Sequence, residues 1–387
     1  MSTMSQERIQ NEAKHLSNGT VRVNEWSKAG AAFDLRSDTM TTPTTRMLEA
    51  IAATTLQDDV FQEDPTTNRL EAFIAELTGK ESALFVLSGT MGNQVSIRAH
   101  LGAPPHSVVC DTRCHIACWE AGGISALCGA QLNRIKPANS RYVTLEEVQE
   151  ATELDDNIHL CPTKLISLEN TLDGMIMPLE EVRRISAWAK EKGVLLHLDG
   201  ARLWEVIASG AGELKDFCEC FDSISLCFSK GLGAPIGSII VGPKAWRERA
   251  RHIRKFYGGG LRQAGVVTAA ARVAVEDTFI GGKLKACHDR ARRIASIWEQ
   301  HGGKLTNAVE TNMVWFDLKR AGISVDDFVA AGQQVGLRLG GGRLVVHYQI
   351  GEEAVQKIEE LAKVVLKGEQ NIGNVEHDVQ KMQIETE

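Results

Sequence analysis

The chain has 387 residues, enough for two domains or for one large domain with a smaller companion. At 43% hydrophobic and 24% charged it has the composition of a soluble globular protein. Its net charge of -7 argues against a nucleic-acid or anionic-membrane surface, and no apolar run approaches the roughly 20 residues that span a bilayer.

Residues 1–32 form a polar extension with several acids, unlike a secretory signal or an Arg-rich transit peptide. The chain ends in IETE, which is no peroxisomal address, so a cytoplasmic home is the expectation. Ser82–Leu87 is the first run that reads as a buried strand, and it leads into SGTMGN, a small-residue turn opening a helix. Ser107–Cys110 reads as a second strand. In DTRCHIACWEAGG beyond it, Cys110, Cys114 and Cys118 recur every fourth residue with His115 among them. That spacing lacks the C-x-x-C pairs usual in zinc sites, so the nine cysteines read as free, mostly buried thiols and no metal is expected.

Lys164–Leu168 reads as the next strand. After it, PLEEVRRISAWAKEKG opens on Pro178 and closes on Gly193, with Leu179, Val182, Ile185 and Ala189 on one helical face. The strand Val194–Leu198 delivers Asp199, Ser223–Phe228 delivers Lys230, and Gly237–Val241 follows. Strands alternating with helices predict an α/β fold, a mostly parallel sheet covered on both faces. From Val266 the pattern turns helical, then mixed between Asn312 and Ile350. The division expected is a large domain over 33–275, a smaller C-terminal α/β domain over 276–367, and a polar tail over 368–387.

Ligands of such sheets gather at the carboxyl ends of the strands. Three of those ends offer an amine (Lys230), a carboxylate (Asp199) and a helix N-terminus (SGTMGN) that can cradle a phosphate. Singly, each has a blander reading: a solvated lysine, a helix cap, an ordinary strand–helix turn. Together they describe pyridoxal 5'-phosphate, which needs an amine for its aldehyde, an acid beside its ring nitrogen and a pocket for its phosphate.

The stretches DLRSDTMTTP, DDVFQEDPTTNRLE, FVLSGTMGNQ, HLDGARLW, SLCFSKGLGAPIGS and GGGLRQAG resemble the L-threonine aldolase family, pyridoxal-phosphate enzymes of the aspartate aminotransferase fold type. The resemblance runs from about Asp34 to Arg343 and implies fold type I, with a mostly parallel seven-stranded sheet. It assigns Lys230 to the cofactor aldehyde, Asp199 to the ring nitrogen, Gly89, Thr90 and Met91 to the phosphate loop, and His115 to stacking on the ring. It places Ser37, Arg202 and Arg343 around the substrate carboxylate and cofactor, a task suited to the planar arginine fork. It gives Arg262 to the phosphate of a neighbouring subunit, so a homodimer or homotetramer is expected.

This chain departs from the family at three places. ENTLD carries Leu172 where the family has a histidine, Leu87 stands where a proline is usual, and Tyr257 precedes the triple glycine. Leucine cannot take a proton from a substrate β-hydroxyl, and it makes the pocket more apolar. The resemblance is then to the family's fungal alanine racemase branch, and the activity expected is interconversion of L- and D-alanine, supplying D-alanine for cyclic-peptide synthesis, with L-threonine cleavage as the alternative. Racemisation needs a second proton group, for which Tyr257, His115 and an ordered water are the candidates.

Overall fold

The computed structural model describes residues 30–155 and 157–366. The expectations for the N-terminal extension up to residue 29 and for the polar tail fall outside these residues.

The six expected strands form, each within two residues of its expected bounds: β1 (Ser82–Val86), β2 (Ser107–Asp111), β4 (Thr163–Glu169), β5 (Leu195–Gly200), β6 (Ser223–Cys227) and β7 (Ser238–Gly242). A seventh, β3 (Gln131–Ile135), pairs only with β2 at the sheet edge. Its sequence QLNRI is largely exposed, so it lacked the continuous apolar run that marks a doubly covered strand. The order is β1-β7-β6-β5-β4-β2-β3, and β7 alone runs antiparallel to its two neighbours. Every residue of β2, β6 and β7 is buried, as a sheet covered on both faces requires.

The helices start and stop where their terminal residues dictate. α1 (Thr45–Ala52) is capped by Thr44, and α2 (Pro65–Thr78) has Asp64 at its N-cap, Pro65 in its first turn and Gly79 at φ 71° beyond its end. α3 (Gly89–His100) follows β1 directly, its cap Ser88 accepting the Met91 N–H. α4 (Leu179–Lys192) lies between Pro178 and Gly193, and buries Val182, Ile185 and Ala189. α5 (Lys244–Phe256), α6 (Gly265–Ala274) and α7 (Lys283–Gln300) follow the sheet.

One hydrophobic core packs around the sheet, holding Phe85, Ile166, Leu196, Leu226 and Ile239. A second is built from α7, the two-stranded ladder of β8 (Met313–Trp315) and β9 (Arg343–Val345), and later helical residues. Its centre is Trp298, stacked on Phe316 at 4.1 Å with Phe328 edge-on at 6.0 Å. Each large side chain buried in either core contributes roughly 1.5–3 kcal/mol. Leu35 belongs to the second core, and its backbone bonds Arg338 O and Val345 N–H. That pairing carries Arg36, Ser37 and Asp38 from early in the chain to the strand ends of the sheet.

Candidate active site

A cavity of about 730 Å³ opens at the carboxyl ends of the parallel strands, and Ser37, His115, Leu172, Arg202, Lys230 and Arg343 all line it. Six expected site residues, spread over more than three hundred positions, thus meet in one place. Lys230 sits in the turn after β6, two residues before buried Leu232.

Asp199, 3% exposed, lies at the end of β5. Its Oδ1 accepts the Ala201 N–H at 3.0 Å and its Oδ2 the Asn93 side-chain amide at 2.7 Å. The same Asn93 amide donates its other hydrogen to Glu120 Oε1 at 2.8 Å, and that oxygen also bonds His115 Nδ1 at 2.8 Å. Gln94 donates to the other Glu120 oxygen. A completely buried carboxylate therefore fixes the imidazole of His115 and, through one amide, the acid beneath the cavity.

Behind Asn93 stands His197, fully buried, whose pKa burial lowers to about 4. It is neutral at physiological pH, and since Asn93 Oδ1 can only accept, His197 Nε2 carries the proton that meets it at 3.2 Å. His197 Nδ1 must then accept from the Ser223 hydroxyl at 2.8 Å. The direction of each bond is fixed, and all of them converge on Asp199 and Glu120.

The arginines differ. Arg202 grips Asp38 with both arms, Nε to Oδ2 at 2.8 Å and Nη2 to Oδ1 at 2.7 Å, and Asp38 is wholly buried. Burial pulls the Arg202 pKa down, but Asp38 more than offsets it and the net shift is upward. Asp38 takes one edge of the Arg202 fork, while Nη1 has no bond among the described residues and the side chain lines the cavity. Arg343 has no carboxylate partner among the described residues and bonds only Arg36 O, at 3.1 Å. Burial and Arg202 lower its pKa. It is the guanidinium in the cavity that is left for an anion.

Gly89, Thr90 and Met91 form the first turn of α3, where backbone N–H groups point outward from the helix start. Leu87 is half-buried against the sheet core rather than lining the cavity. Tyr257 also lies apart from the cavity: its hydroxyl donates to Leu127 O at 3.1 Å, and burial raises its pKa to about 12. A proton role for Tyr257 has no support in this placement. Arg262 is exposed and pairs with Asp58 at 2.9 Å, outside the cavity. All nine cysteines are free, Cys110 and Cys114 buried and Cys118 exposed.

Sequence reasoning missed Glu120, Asn93 and Glu169. The first two stand in stretches singled out for other residues, DTRCHIACWEAGG and SGTMGN, and the third opens ENTLD. Their signal was a polar residue on a segment otherwise destined for the core.

The residues present fit pyridoxal phosphate. The cavity offers one amine at Lys230; Asp199, both of its oxygens oriented, pairs with cavity-lining Glu169 across the sheet and is tied to α3 through Asn93. Thr171 Oγ1, in the cavity wall, is buried without a partner, a hydroxyl left for a ligand to satisfy. The fold is also that of known enzymes: a threonine aldolase structure from Leishmania major superposes with a TM-score of 0.75 at 21% identity, covering 86% of this chain and 99% of that one. Fold and site define a pyridoxal-phosphate enzyme of fold type I.

Residues 34–321 match the β-eliminating lyase family model, and the chain belongs to that family, which includes the threonine aldolases. Among its relatives, the aldolase vrtJ of Penicillium aethiopicum is 59% identical over 345 residues, 89% of each chain. The alanine racemase TOXG of Cochliobolus carbonum is 43% identical, covering 89% of this chain and 90% of its own. The low-specificity L-threonine aldolase of Saccharomyces cerevisiae is 44% identical over 85% of both.

Proposed function

We propose that this protein cleaves the Cα–Cβ bond of a β-hydroxy-α-amino acid of the threonine kind, releasing glycine and an aldehyde. The observation that carries the reading is the meeting of Lys230 and unpaired Arg343 in one cavity above Asp199. The likeness to a fungal aldolase at 59% identity supports cleavage over other outcomes at Cα.

Arg343 binds the substrate carboxylate with its free fork and so fixes which Cα bond faces the reacting centre. Lys230 would hold the cofactor through its amine, and the same amine could move a proton at Cα. Asp199, oriented by Asn93 and Ala201, would keep the proton on the cofactor's ring nitrogen, and His115, clamped by Glu120, would cover the ring. The Asp38–Arg202 pair stiffens the wall. Bound there, the cofactor supplies an electron sink for the pair left on Cα. The active unit is taken to be at least a dimer, with exposed Arg262 reaching a neighbouring copy.

One observation favours a second reading, interconversion of L- and D-alanine. Leu172, 6% exposed, sets an apolar wall where a substrate hydroxyl would lie, which suits a methyl side chain, and TOXG is a relative. A single pair of incubations separates them. With L-threonine a coupled assay reads acetaldehyde; with L-alanine chiral chromatography reads D-alanine. Cleavage faster than racemisation is expected, and abundant D-alanine with negligible acetaldehyde would transfer the assignment to the racemase.

A further inference from the structure

Glu169 ends β4 and has no part in the scheme above. Its Cα pairs with Asp199 across the parallel β4–β5 ladder. Along the carboxyl edge of the sheet come Lys230 after β6, Asp199 on β5, Glu169 on β4 and His115 beyond β2. Neighbouring strands lie about 4.8 Å apart, so the strands bearing Lys230 and Glu169 are separated by roughly 10 Å with that of Asp199 between them. The cavity above β5 is thus flanked by an amine on one side and a carboxyl on the other.

Glu169 Oε2 accepts the His115 backbone N–H at 2.7 Å, and among the described residues no hydrogen bond reaches Oε1. Glu169 lines the large cavity and also a second one of about 10 Å³, room for a single water, walled by Leu172, Asp111 and Ser167. It therefore stands between the substrate space and a one-water chamber directly behind Leu172. Burial, then the charge of Asp199, pushes its pKa well above the ordinary carboxylate range, against the pull of the His115 N–H, Lys230 and Arg202. Arg113 is the other charged group facing it. A carboxylate so raised is a stronger base than an exposed one.

We propose that Glu169 is the general base that takes the β-hydroxyl proton, the task a histidine at position 172 would perform. The inference rests on the cleavage reading above. The substrate O–H bond breaks as Glu169 Oε1–H forms, the oxygen pair becomes the aldehyde C=O bond, and the Cα–Cβ bond breaks with its electrons kept on Cα. Lys230 then protonates Cα, which completes glycine, and the proton held by Glu169 returns through water to Lys230, restoring both groups. No other donor, oxidant or reductant is needed.

The test compares the holoenzyme with Glu169→Gln, whose amide oxygen still accepts the His115 N–H but cannot carry a proton. L-threonine cleavage should fall ~10²–10⁴-fold. Exchange of one glycine α-hydrogen with D₂O, which Lys230 performs alone, should stay within a few-fold. Glu169→Asp should cleave faster than Glu169→Gln, and Leu172→His added to Glu169→Gln should restore at least tenfold. A readout without activity is the melting temperature of the cofactor-free proteins against pH. Wild type should lose stability relative to Glu169→Gln as pH rises above about 4.3, since the fold holds a proton that the unfolded chain has released. Equal cleavage by wild type and Glu169→Gln, or a melting difference independent of pH, overturns the base. Wild type that exchanges α-hydrogens but cleaves nothing overturns the cleavage reading instead.

Discussion

Arg202 and Arg343 line the same cavity and looked alike in the sequence, but of the two only Arg202 holds a carboxylate among the described residues. Arg343→Ala should raise the KM for amino acid by roughly 10²-fold or more, the worth of a charge-assisted bidentate contact of about 3 kcal/mol, and leave the cofactor spectrum unchanged. Arg202→Ala should act on stability. It strands buried Asp38, at a cost of about 3–5 kcal/mol, which a urea midpoint would record. Specific loss of substrate affinity in Arg202→Ala at full stability would reverse the two roles. Residues whose type is chemically rare at a strand end, Lys230 and Asp199, were legible from the sequence. The bond of Arg202 to Asp38 was not legible, because that partner lies 164 positions away. Glu120 was missed because a glutamate two residues before a glycine pair looks like surface.

Elements were legible wherever burial was two-sided. Six strands and α4 announced themselves by apolar runs and terminal Pro and Gly, whereas the edge strand β3 did not. The helix α3 carries a constraint that no periodicity reveals. A Cβ built on Gly92 would lie 2.3 Å from Ser225 Oγ and 3.2 Å from Ile240, so α3 touches the sheet through a bare backbone. Gly92→Ala favours an isolated helix by ~1 kcal/mol, but the overlap forces α3 outward, at a cost of about 1–3 kcal/mol. The helix start beside the cavity moves with it. Equilibrium dialysis should show weaker cofactor binding in Gly92→Ala than in an alanine variant at Gly102, where nothing lies within 4 Å. Equal affinities would mean that the first turn of α3 does not hold the phosphate.

For the whole molecule, the buried polar chain behind Asp199 sets an acid limit. His197 is neutral when folded, with a pKa lowered to about 4 by burial, against roughly 6.5 unfolded. The unfolded chain takes the proton first, so this contribution is complete above about pH 6.5 and is lost as pH falls toward 4, by about 1.4 kcal/mol per unit. Melting temperatures at pH 7 and pH 5 should diverge more in wild type than in His197→Gln; parallel curves would contradict the burial argument. The fold class was legible because strand–helix alternation records layering directly. The joining of Ser37 and Asp38 to the site was not, since it depends on Leu35 entering the second core. Whether the chain divides into domains near residue 275 stays a proposal, with a helical run from Gly265 to Ile280 crossing that point.

The account stands on Lys230 as the amine that carries the cofactor. Borohydride reduction of the purified holoenzyme, followed by proteolysis and peptide mass spectrometry, reads that bond directly. A pyridoxyl group on Lys230 and on no other lysine is the result expected. Cofactor retained by the protein but released unreduced, or fixed to a different lysine, would contradict it.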